Sequence, residues 1–369
     1  MRTPLERFYP FIPAGGVGSR LWPLSRADEP KFLLDLTGTG TSLLRATYDR
    51  LVDLAASSVM VVTGEAHASA VIQQLSELRG SDLVLEPSPR DSAAAIGLAS
   101  AILYQRDPEA IIGSFAADHV ISPVEEFQAV VREAVITAAS GKIVTIGIEP
   151  TEPSTAFGYI KAEQNLDVEG APNALAVEQF VEKPDAETAA GYIASGDYTW
   201  NAGMFVAPAA LMLKHLETNE PELYAGIMEI ARSWDSPERE ATMTRLWGTL
   251  PKTAIDYAVA EPAAAAGDVA MVPGSFSWDD VGDFDAVARL NIEKSGEDLF
   301  ILGDKSNVIA EGSTGIIVAT TNRKISVIGL EDVVIVDTPD ALLVTVREDA
   351  QHVKNTVATL KEQGHSSLL

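Results

Sequence analysis

Cysteine is absent from this sequence, and its absence excludes three kinds of chemistry. Disulfide bonds, thiolate nucleophiles and metal sites with cysteine ligands are all ruled out. The first residues also lack the apolar core of a secretory signal peptide, and the longest apolar stretch, around residues 93–104, is far shorter than a bilayer span. We therefore expect a protein of the reducing cytoplasm that does not bind membranes.

Basic residues are scarce, since 27 Lys and Arg stand against 53 Asp and Glu, for a net charge of −26. Surfaces that bind nucleic acids or anionic membranes need a basic patch, so this charge balance argues against both partners. Because the long-range field repels anions, an enzyme of anionic substrates would depend on local cations and a metal ion. We interpret the acidic surplus as a well-solvated surface.

The length of 369 residues, 46% of them hydrophobic, is enough for two domains. Up to about residue 150, short apolar runs alternate with segments of helical periodicity, which predicts an α/β, Rossmann-like fold with a mostly parallel sheet. From Leu299 onwards, short β-rich runs predict a small all-β appendage, which a few turns of a β-helix would satisfy, closed by a helix over residues 349–360. We predict one domain over residues 1–295 and the appendage over residues 296–369.

A glycine-rich loop follows the first apolar run, with three glycines in four positions: Gly15, Gly16 and Gly18. Without a Cβ, their backbone N–H groups can crowd around an anion. Arg20 and Lys31 add cations that a phosphate can use. The glycines alone are equally compatible with a tight turn that binds nothing, whereas the added cations favour a nucleotide phosphate-binding loop.

Two better-known glycine motifs do not fit this loop. A Walker loop needs Lys followed by Ser or Thr after its last glycine, and here Ser19 and Arg20 follow. A dinucleotide-binding motif needs a third glycine where Leu21 stands, which argues against a nicotinamide dehydrogenase. Pro10 lies inside the expected strand before the loop, so we expect that strand to begin at Phe11 or to carry a bulge.

The loop continues as Arg-Leu-Trp-Pro-Leu-Ser-Arg and is followed by Pro30-Lys31, and this pattern resembles the signature of the sugar nucleotidyltransferases. Ser19 replaces the usual threonine and keeps the hydroxyl. The segment Trp-Pro-Leu-Ser-Arg at residues 22–26 resembles that of the mannose-1-phosphate guanylyltransferase branch of that family. The resemblance implies a nucleotidyltransferase catalytic domain over residues 1–295, with these loop residues at the nucleotide: Ala14, Gly15, Gly16, Gly18 and Ser19.

Two aspartates are candidate metal ligands. Asp118 follows the predicted strand at residues 111–115, and ligands of parallel sheets bind beyond the carboxyl ends of strands, although an aspartate there as often caps a helix. Asp280 lies in Trp-Asp-Asp-Val-Gly at residues 278–282, which is otherwise an acidic turn. The resemblance implies that Asp118 and Asp280 together hold a catalytic Mg²⁺ or Mn²⁺ ion, and that Asp279 occupies the variable position.

The segment Glu-Pro-Ser-Pro-Arg-Asp-Ser-Ala at residues 86–93 joins a predicted strand to a predicted helix. Asp91 or Ser92 can cap that helix, whose N-terminus attracts phosphate or polar base edges. The segment resembles a family segment that approaches the base and ribose. This implies nucleotide binding by Glu86, Arg90 and Ser92, and an ordinary helix cap is an equally good interpretation.

Four later segments resemble family motifs in the same order: residues 157–160, 181–184, 200–205 and 255–259. Each is weak alone, since Glu-Lys-Pro at residues 182–184 also reads as a polar strand end, and Ala156 and Phe157 replace a Gly-Tyr pair of the family. Together they form a strong signal. The resemblance implies that the sugar phosphate contacts the following residues: Gly158, Glu182, Lys183, Asn201 and Asp256.

The resemblance implies a Mg²⁺-dependent transfer of GMP from GTP to α-D-mannose 1-phosphate, which yields GDP-mannose and pyrophosphate. Arg20 and Lys31 would act on the triphosphate and Lys183 on the sugar phosphate; no general base is needed because the attacking oxygen is already anionic. Another sugar 1-phosphate, of glucose or a heptose, is the nearer alternative. A non-catalytic sensor of sugar nucleotides is the other, and the retained cations and acids disfavour it.

Two further expectations follow from the family. Some members carry a trailing phosphomannose isomerase domain, and the sequence ends after the β-rich region, so we expect a single activity. The β appendage resembles that of members that dimerise, which implies a homodimer.

Overall fold

The computed structural model describes residues 2–369. The strands are β1 (Phe8–Ala14), β2 (Met60–Gly64), β3 (Leu83–Glu86), β4 (Ile111–Ser114), β5 (Val120–Ser122), β6 (Ile143–Ile148), β7 (Gly158–Asn165), β8 (Leu175–Val181), β9 (Tyr198–Pro208), β10 (Val269–Pro273), β11 (Ser277–Asp279), β12 (Leu299–Gly303), β13 (Val308–Glu311), β14 (Gly315–Ala319), β15 (Ile325–Ile328), β16 (Val333–Asp337) and β17 (Leu342–Val346). The α-helices are α1 (Leu43–Val52), α2 (Ala68–Gln74), α3 (Asp91–Arg106), α4 (Val124–Ala138), α5 (Ala186–Ser195), α6 (Ala209–Asn219), α7 (Pro221–Ser233), α8 (Arg239–Leu246), α9 (Glu261–Ala265), α10 (Phe284–Ser295) and α11 (Val353–Glu362).

The chain divides into two compact units. The second unit consists of Gly16–Ala46, Asp118–Val120 and Asp279–Leu369, and the first unit holds the remaining described residues. The predicted boundary between residues 295 and 296 stays a prediction, because the second unit gathers separate segments of the chain rather than one continuous stretch. Within residues 2–369, every helix is too short or too polar to traverse a lipid bilayer.

The first unit is built on a mixed sheet with the strand order β3-β2-β1-β4-β9-β6-β10-β8-β7. β1 pairs in parallel with β2 and β4, and β2 pairs in parallel with β3, as the alternation of strands and helices predicts. β9 runs antiparallel to both β4 and β6. The alanine-rich α3 is buried from Ala93 to Leu103, and a Cβ on its Gly97 would lie 2.8 Å from Ile227 of α7. Small side chains therefore let α7 pack closely against α3.

β1 runs from Phe8 to Ala14 and includes Pro10, so the expectation that it begins at Phe11 or carries a bulge is wrong. β1 pairs with β4 over residues 8–11 and with β2 over residues 11–14, without a register shift. At Pro10 only β4 pairs with β1. Because the ladder on the other side starts at Phe11, the missing N–H of Pro10 leaves a central strand intact.

The second unit contains the predicted β appendage. β12, β14 and β16 stack in parallel, β13 and β15 form a second parallel stack, and β17 pairs antiparallel with β16. Two parallel stacks of short strands are the coils of a β-helix, which confirms the predicted fold class. The core of this unit also takes residues from the N-terminal segment: Leu21, Leu34, Leu36 and Leu43. The predicted closing helix is a 3₁₀ segment over Arg347–His352 followed by α11.

Candidate active site

The glycine-rich loop has N–H groups without backbone acceptors and two carbonyl groups that accept from the protein. Within residues 2–369, the N–H groups of residues 16–18 donate to no backbone carbonyl. The Val17 carbonyl accepts from the Lys31 N–H at 3.1 Å, and the Gly18 carbonyl accepts from the Ser25 hydroxyl at 2.5 Å. N–H groups that donate to no backbone carbonyl are available to an anion, as an anion-binding loop requires.

Gly18 is needed where Lys31 approaches the loop. Gly16 and Gly18 have φ values of +86° and +77°, a region that favours glycine. A Cβ on Gly18 would lie 2.8 Å from the Lys31 Cβ, whereas a Cβ on Gly16 would meet no heavy atom within 4 Å. The two glycines therefore share the backbone requirement, but only Gly18 has the close contact.

Gly18→Ala should destabilise the protein more than Gly16→Ala, because only the first adds a steric clash to the backbone strain. We expect about 1–2 kcal/mol for Gly16→Ala and a further loss of about 1–3 kcal/mol for Gly18→Ala. Urea unfolding of the two variants measures the difference. Equal free energies of unfolding would show that Lys31 shifts at no cost and that Gly18 is needed for its φ alone.

Ala14 and Ser19 flank the loop. Ala14 ends β1, is buried, and its carbonyl accepts from the Thr63 hydroxyl at 2.9 Å. Ser19 is exposed and opens a short 3₁₀ turn. Their nucleotide contacts, like those of Gly15, which has open space around it, stay predictions.

The Lys31 ammonium contacts both residues that the sequence predicts as metal ligands. Its Nζ lies 2.6 Å from Oδ2 of Asp118 and donates to the backbone carbonyl of Asp280 at 2.5 Å. Lys31 is only 7% exposed, so the contact is shielded from water. Asp118 and Asp280, which are far apart in sequence, therefore both contact the buried ammonium group of Lys31.

The two carboxyl groups differ in pKa. Burial acts to raise the pKa of Asp118, but the charge of Lys31 and a smaller effect of His119 outweigh it and hold this pKa below its ordinary value. Burial raises the pKa of Asp280 to about 6; Lys31 opposes the rise, and the nearby Asp279 and Asp118 add to it. A cation beside these carboxylates would relieve their repulsion.

This arrangement fits a hard divalent cation. Mg²⁺ is usually held by one or two carboxylates together with substrate phosphates and water. Within residues 2–369, no protein donor is hydrogen-bonded to the Asp280 carboxylate, whose oxygens are therefore available as ligands. The donor set of Asp118 and Asp280 is all oxygen, as Mg²⁺ or Mn²⁺ prefers.

Asp279 has a different environment from Asp280. Its Oδ1 accepts from the Val281 N–H at 2.7 Å, and its Oδ2 pairs with Arg289 at 2.7 Å. Val281 has a φ of +47°, which a β-branched residue rarely adopts. Asp279 thus stabilises a strained turn, and the Asp280 carboxylate is left without such contacts; the metal-ligand role of Asp280 stays a prediction.

The Arg20 guanidinium is not bound by protein acceptors in the described part of the chain, although its charge acts on the Asp283 carboxyl group. It forms no ion pair or hydrogen bond there, and its Nε is buried without an acceptor. A buried donor without an acceptor is unfavourable by about 1–3 kcal/mol. A phosphate oxygen would satisfy it, which fits the predicted role on the triphosphate.

In the first unit, the N-terminus of α3 is occupied by protein groups. The Ser92 hydroxyl accepts from the Ile255 N–H at 2.9 Å, and the Ala93 N–H donates to the Thr253 carbonyl at 3.1 Å. Asp91 Oδ1 accepts from the Ser92 N–H at 2.7 Å, so one N–H group of the first turn is satisfied by a residue predicted as a cap, whereas the side chain of Arg90, which precedes the helix, caps nothing. The segment around residues 253–255 satisfies further polar groups at this end of the helix.

Arg90 is also engaged by the protein. Its guanidinium donates to the carbonyl groups of Leu250, at 3.0 Å, and Gly248. These bonds fix the segment after α8 against the start of α3. The nucleotide contacts of Arg90 and Ser92 stay predictions, and both side chains have a structural role in addition.

Glu86, at the end of β3, is a carboxyl group in a largely buried position. Burial raises its pKa from 4.5 to about 7. Within residues 2–369 it has no hydrogen-bond partner, which leaves both oxygens for a ligand. A carboxylate here can accept from N–H groups of a nucleobase.

Glu86→Gln should stabilise the protein at alkaline pH. The folded protein retains a proton that the unfolded chain has lost, so the stability of the wild type falls as pH rises from about 4.5 to about 7. The variant has no carboxyl group to titrate, so its stability does not fall in this way. At pH 8 we expect its free energy of unfolding to exceed that of the wild type by on the order of 2 kcal/mol. Urea unfolding at pH 4 and pH 8 tests this; an advantage of equal size at both pH values would contradict it.

The residues predicted to contact the sugar phosphate lie together in the first unit. Lys183 Nζ pairs with Glu182 Oε1 at 2.5 Å, and Asn201 Nδ2 donates to Asp256 Oδ1 at 3.2 Å. A Cβ on Gly158 would lie 2.5 Å from Glu182 Oε2. Glycine at this position therefore makes room for the Glu182 carboxylate.

This cluster contains acceptors that hydroxyl groups can use. The Glu182 side chain is 5% exposed, and its Oε2 has no donor among the described residues. Burial raises the pKa of Asp256 to about 6; the charge of Glu182 adds to this rise, and Lys183 and Asn201 oppose it. Lys183 has a φ of +48°, so its backbone is held in a sparsely populated conformation.

Two residues that contact this cluster lie outside the segments that resemble family motifs. The Thr145 hydroxyl donates to Asn201 Oδ1 at 2.7 Å, and Glu261 Oε1 accepts from the Glu182 N–H at 3.2 Å. A polar residue inside the apolar run 143–146 was a signal for Thr145. Glu261 follows a π-helical turn over Asp256–Ala260, which no sequence pattern indicated.

Comparison with known proteins identifies the family of the chain. The nucleotidyl transferase family matches residues 9–295, and the MannoseP isomerase/GMP-like beta-helix domain matches residues 306–360. The Xanthan biosynthesis protein XanB of Xanthomonas campestris is 38% identical over 363 residues, which cover 97% of this chain and 74% of that protein. The mannose-1-phosphate guanylyltransferase of Escherichia coli is 36% identical over 365 residues, with the same coverage.

A solved structure extends the match to the whole fold. A protein described as mannose-1-phosphate geranyltransferase from Thermus thermophilus superposes with a TM-score of 0.83 at 28% identity, over 96% of this chain and 99% of that one. The resemblance inferred from the motifs is thus confirmed. The chain belongs to the nucleotidyl transferase family, in the group of the mannose-1-phosphate guanylyltransferases.

Proposed function

We propose that this protein transfers GMP from GTP to α-D-mannose 1-phosphate and releases pyrophosphate. The observation that carries the proposal is the Lys31 ammonium, which contacts both Asp118 and Asp280 beside a glycine-rich loop whose N–H groups at residues 16–18 donate to no backbone carbonyl. The names of its relatives support GTP and mannose 1-phosphate as the substrates.

The reaction is a substitution at phosphorus. A phosphate oxygen of the sugar phosphate forms a bond to the α-phosphorus of GTP, and the bond from that phosphorus to the bridging oxygen breaks. Pyrophosphate leaves with the electron pair. Because the attacking oxygen is already anionic near neutral pH, the protein has to position two anions and offset their repulsion rather than remove a proton.

The loop and Arg20 bind the triphosphate in this proposal. The N–H groups of residues 16–18 and the unpaired Arg20 guanidinium donate to its oxygens. At about 4 Å and an effective dielectric constant of about 20, each pair of unit charges contributes roughly 4 kcal/mol. Asp118 and Asp280 would hold Mg²⁺ or Mn²⁺, which supplies positive charge to the triphosphate when bound.

The cluster in the first unit binds the sugar phosphate. Lys183 donates to its phosphate group, which requires Lys183 to exchange part of its contact with Glu182. Glu182 Oε2, which has no donor of its own, accepts from a sugar hydroxyl. Asn201 and Asp256, already hydrogen-bonded to each other, complete the polar surface.

A substrate panel tests the proposal. Each of the four nucleoside triphosphates is combined with the 1-phosphates of mannose, glucose and a heptose, and pyrophosphate release is measured with Mg²⁺. We expect GTP with mannose 1-phosphate to exceed every other pair by about tenfold or more in kcat/KM. A different preferred sugar would assign the protein to that sugar, and binding without turnover would make it a sensor.

The metal and the assembly state need separate measurements. EDTA should abolish turnover, and added Mg²⁺ or Mn²⁺ should restore it, because the two substrates repel each other without a bound cation.

We also propose a homodimer. Light scattering coupled to gel filtration tests it, and a mass equal to one chain of 39.3 kDa would contradict it.

A further inference from the structure

A turn close to the C-terminus contacts the segment that follows the glycine-rich loop. The Leu368 carbonyl accepts from the indole Nε1 of Trp22 at 2.7 Å and from Nη1 of Arg26 at 2.5 Å. Trp22 is 7% exposed, so its bond is shielded from water. A carbonyl with two donors, one of them charged, is a strong anchor.

The whole Arg26 guanidinium is engaged by protein groups. Nε donates to the Pro23 carbonyl at 2.8 Å, Nη2 pairs with Asp340 at 2.8 Å, and the group lies 5.6 Å from the centre of the Trp22 ring. Arg20, in contrast, has no protein partner in the described residues. Arg26 is therefore suited to hold the segment in place rather than to bind a substrate.

Short bonds connect this segment to the loop. The Ser25 hydroxyl donates to the Gly18 carbonyl at 2.5 Å, and the Ser25 N–H donates to the Leu21 carbonyl at 2.9 Å. The Leu21 N–H donates to the Gly18 carbonyl at 2.9 Å. The carbonyl group of Gly18, the last glycine of the loop, is thus held by Leu21 and Ser25. These two residues are the sequence neighbours of Trp22 and Arg26.

We propose that the Leu368 carbonyl is a latch, and that Trp22 and Arg26 are positioning residues that hold the loop in its triphosphate-binding form. The nucleotide part of this inference rests on the proposed function. A loop that is already ordered binds an anion without the entropy loss of ordering it. Release of the latch weakens GTP binding because that loss is then added to each binding event.

Trp22→Phe tests the latch with little other change, since it removes the indole N–H and keeps an aromatic ring. Trp234→Phe is the matched control, because the buried Nε1 of Trp234 has no partner among the described residues. Hydrogen exchange at the N–H groups of Leu21, Ser25 and Lys31 reports on the loop without any ligand. Calorimetry gives the Kd for GTP with Mg²⁺.

In Trp22→Phe we expect exchange at these N–H groups to be about fivefold faster and the Kd for GTP to be about fivefold higher, with kcat changed less than twofold. Deletion of residues 366–369 should act in the same direction, and Trp234→Phe should change neither quantity. Unchanged exchange in both latch variants would overturn the latch. Faster exchange with an unchanged Kd would overturn the positioning role.

These outcomes remain distinct from failure of the proposed function. A wild-type protein that does not bind GTP would refute the proposed substrate. The exchange measurement needs no nucleotide, so it would still decide whether the Leu368 carbonyl holds the loop.

Discussion

Asp280→Asn lowers kcat/KM by about a thousandfold, about 4 kcal/mol of transition-state stabilisation, if this carboxylate holds the metal ion. The folded protein should lose no stability, because no described protein donor contacts that carboxylate. Removal of one charge from a group of neighbouring acids even favours the folded state. Steady-state kinetics and urea unfolding of one preparation measure both effects.

Asp279→Asn is the matched control, one position away. It removes the partner of Arg289 and weakens the turn at Val281, so we expect a loss of about 1–3 kcal/mol of stability. Its activity should fall far less than that of Asp280→Asn when both are measured well below their unfolding temperatures. Equal losses of activity in the two variants would refute the assignment of the metal site to Asp280.

Arg20→Ala should lower kcat/KM by about a hundredfold to a thousandfold while the free energy of unfolding stays within about 0.5 kcal/mol. Activity and stability should respond differently because Arg20 forms no hydrogen bond or ion pair within residues 2–369. Arg20→Lys should recover part of the activity, since the charge remains and the planar donor arrangement is lost.

Arg26→Ala provides the contrast for Arg20→Ala. The Arg26 side chain donates to two carbonyl groups and one carboxylate, so its loss should lower stability by about 1–3 kcal/mol. A stable Arg20→Ala variant with wild-type kcat/KM would exclude Arg20 from the triphosphate site.

Many strands could be predicted because they are short runs of apolar residues. The apolar runs at residues 175–181, 315–319, 325–328 and 342–346 predict strands, and β8, β14, β15 and β17 cover these same residues. β9 was not predicted as a strand, because its central Asn-Ala-Gly interrupts the apolar pattern. β13 was not predicted, because its short apolar run ends in a charged residue. Both rely on neighbouring strands, which a local pattern does not show.

The candidate site shows the same division. Motifs indicated Lys31, Asp118 and Asp280, but the bonds from one ammonium to the other two residues are tertiary contacts. The local sequence pattern does not indicate that the Arg90 guanidinium donates to the carbonyl group of Gly248, 158 positions away. Nor did it show that Ser92 would accept from a backbone N–H group. Competition between protein groups for a donor or acceptor is decided only by the fold.

The second unit is made of segments that are far apart in the sequence, and this affects how it folds during synthesis on the ribosome. Leu21, Leu34 and Leu36 leave the exit tunnel early, yet their core partners on β14 and β16, such as Ile316 and Val334, are translated near the end. Until then these leucines lack their native neighbours, and such long-range closure is slow. A nascent chain of this protein therefore has an interval of exposure to chaperones that is set by translation speed rather than by its final stability.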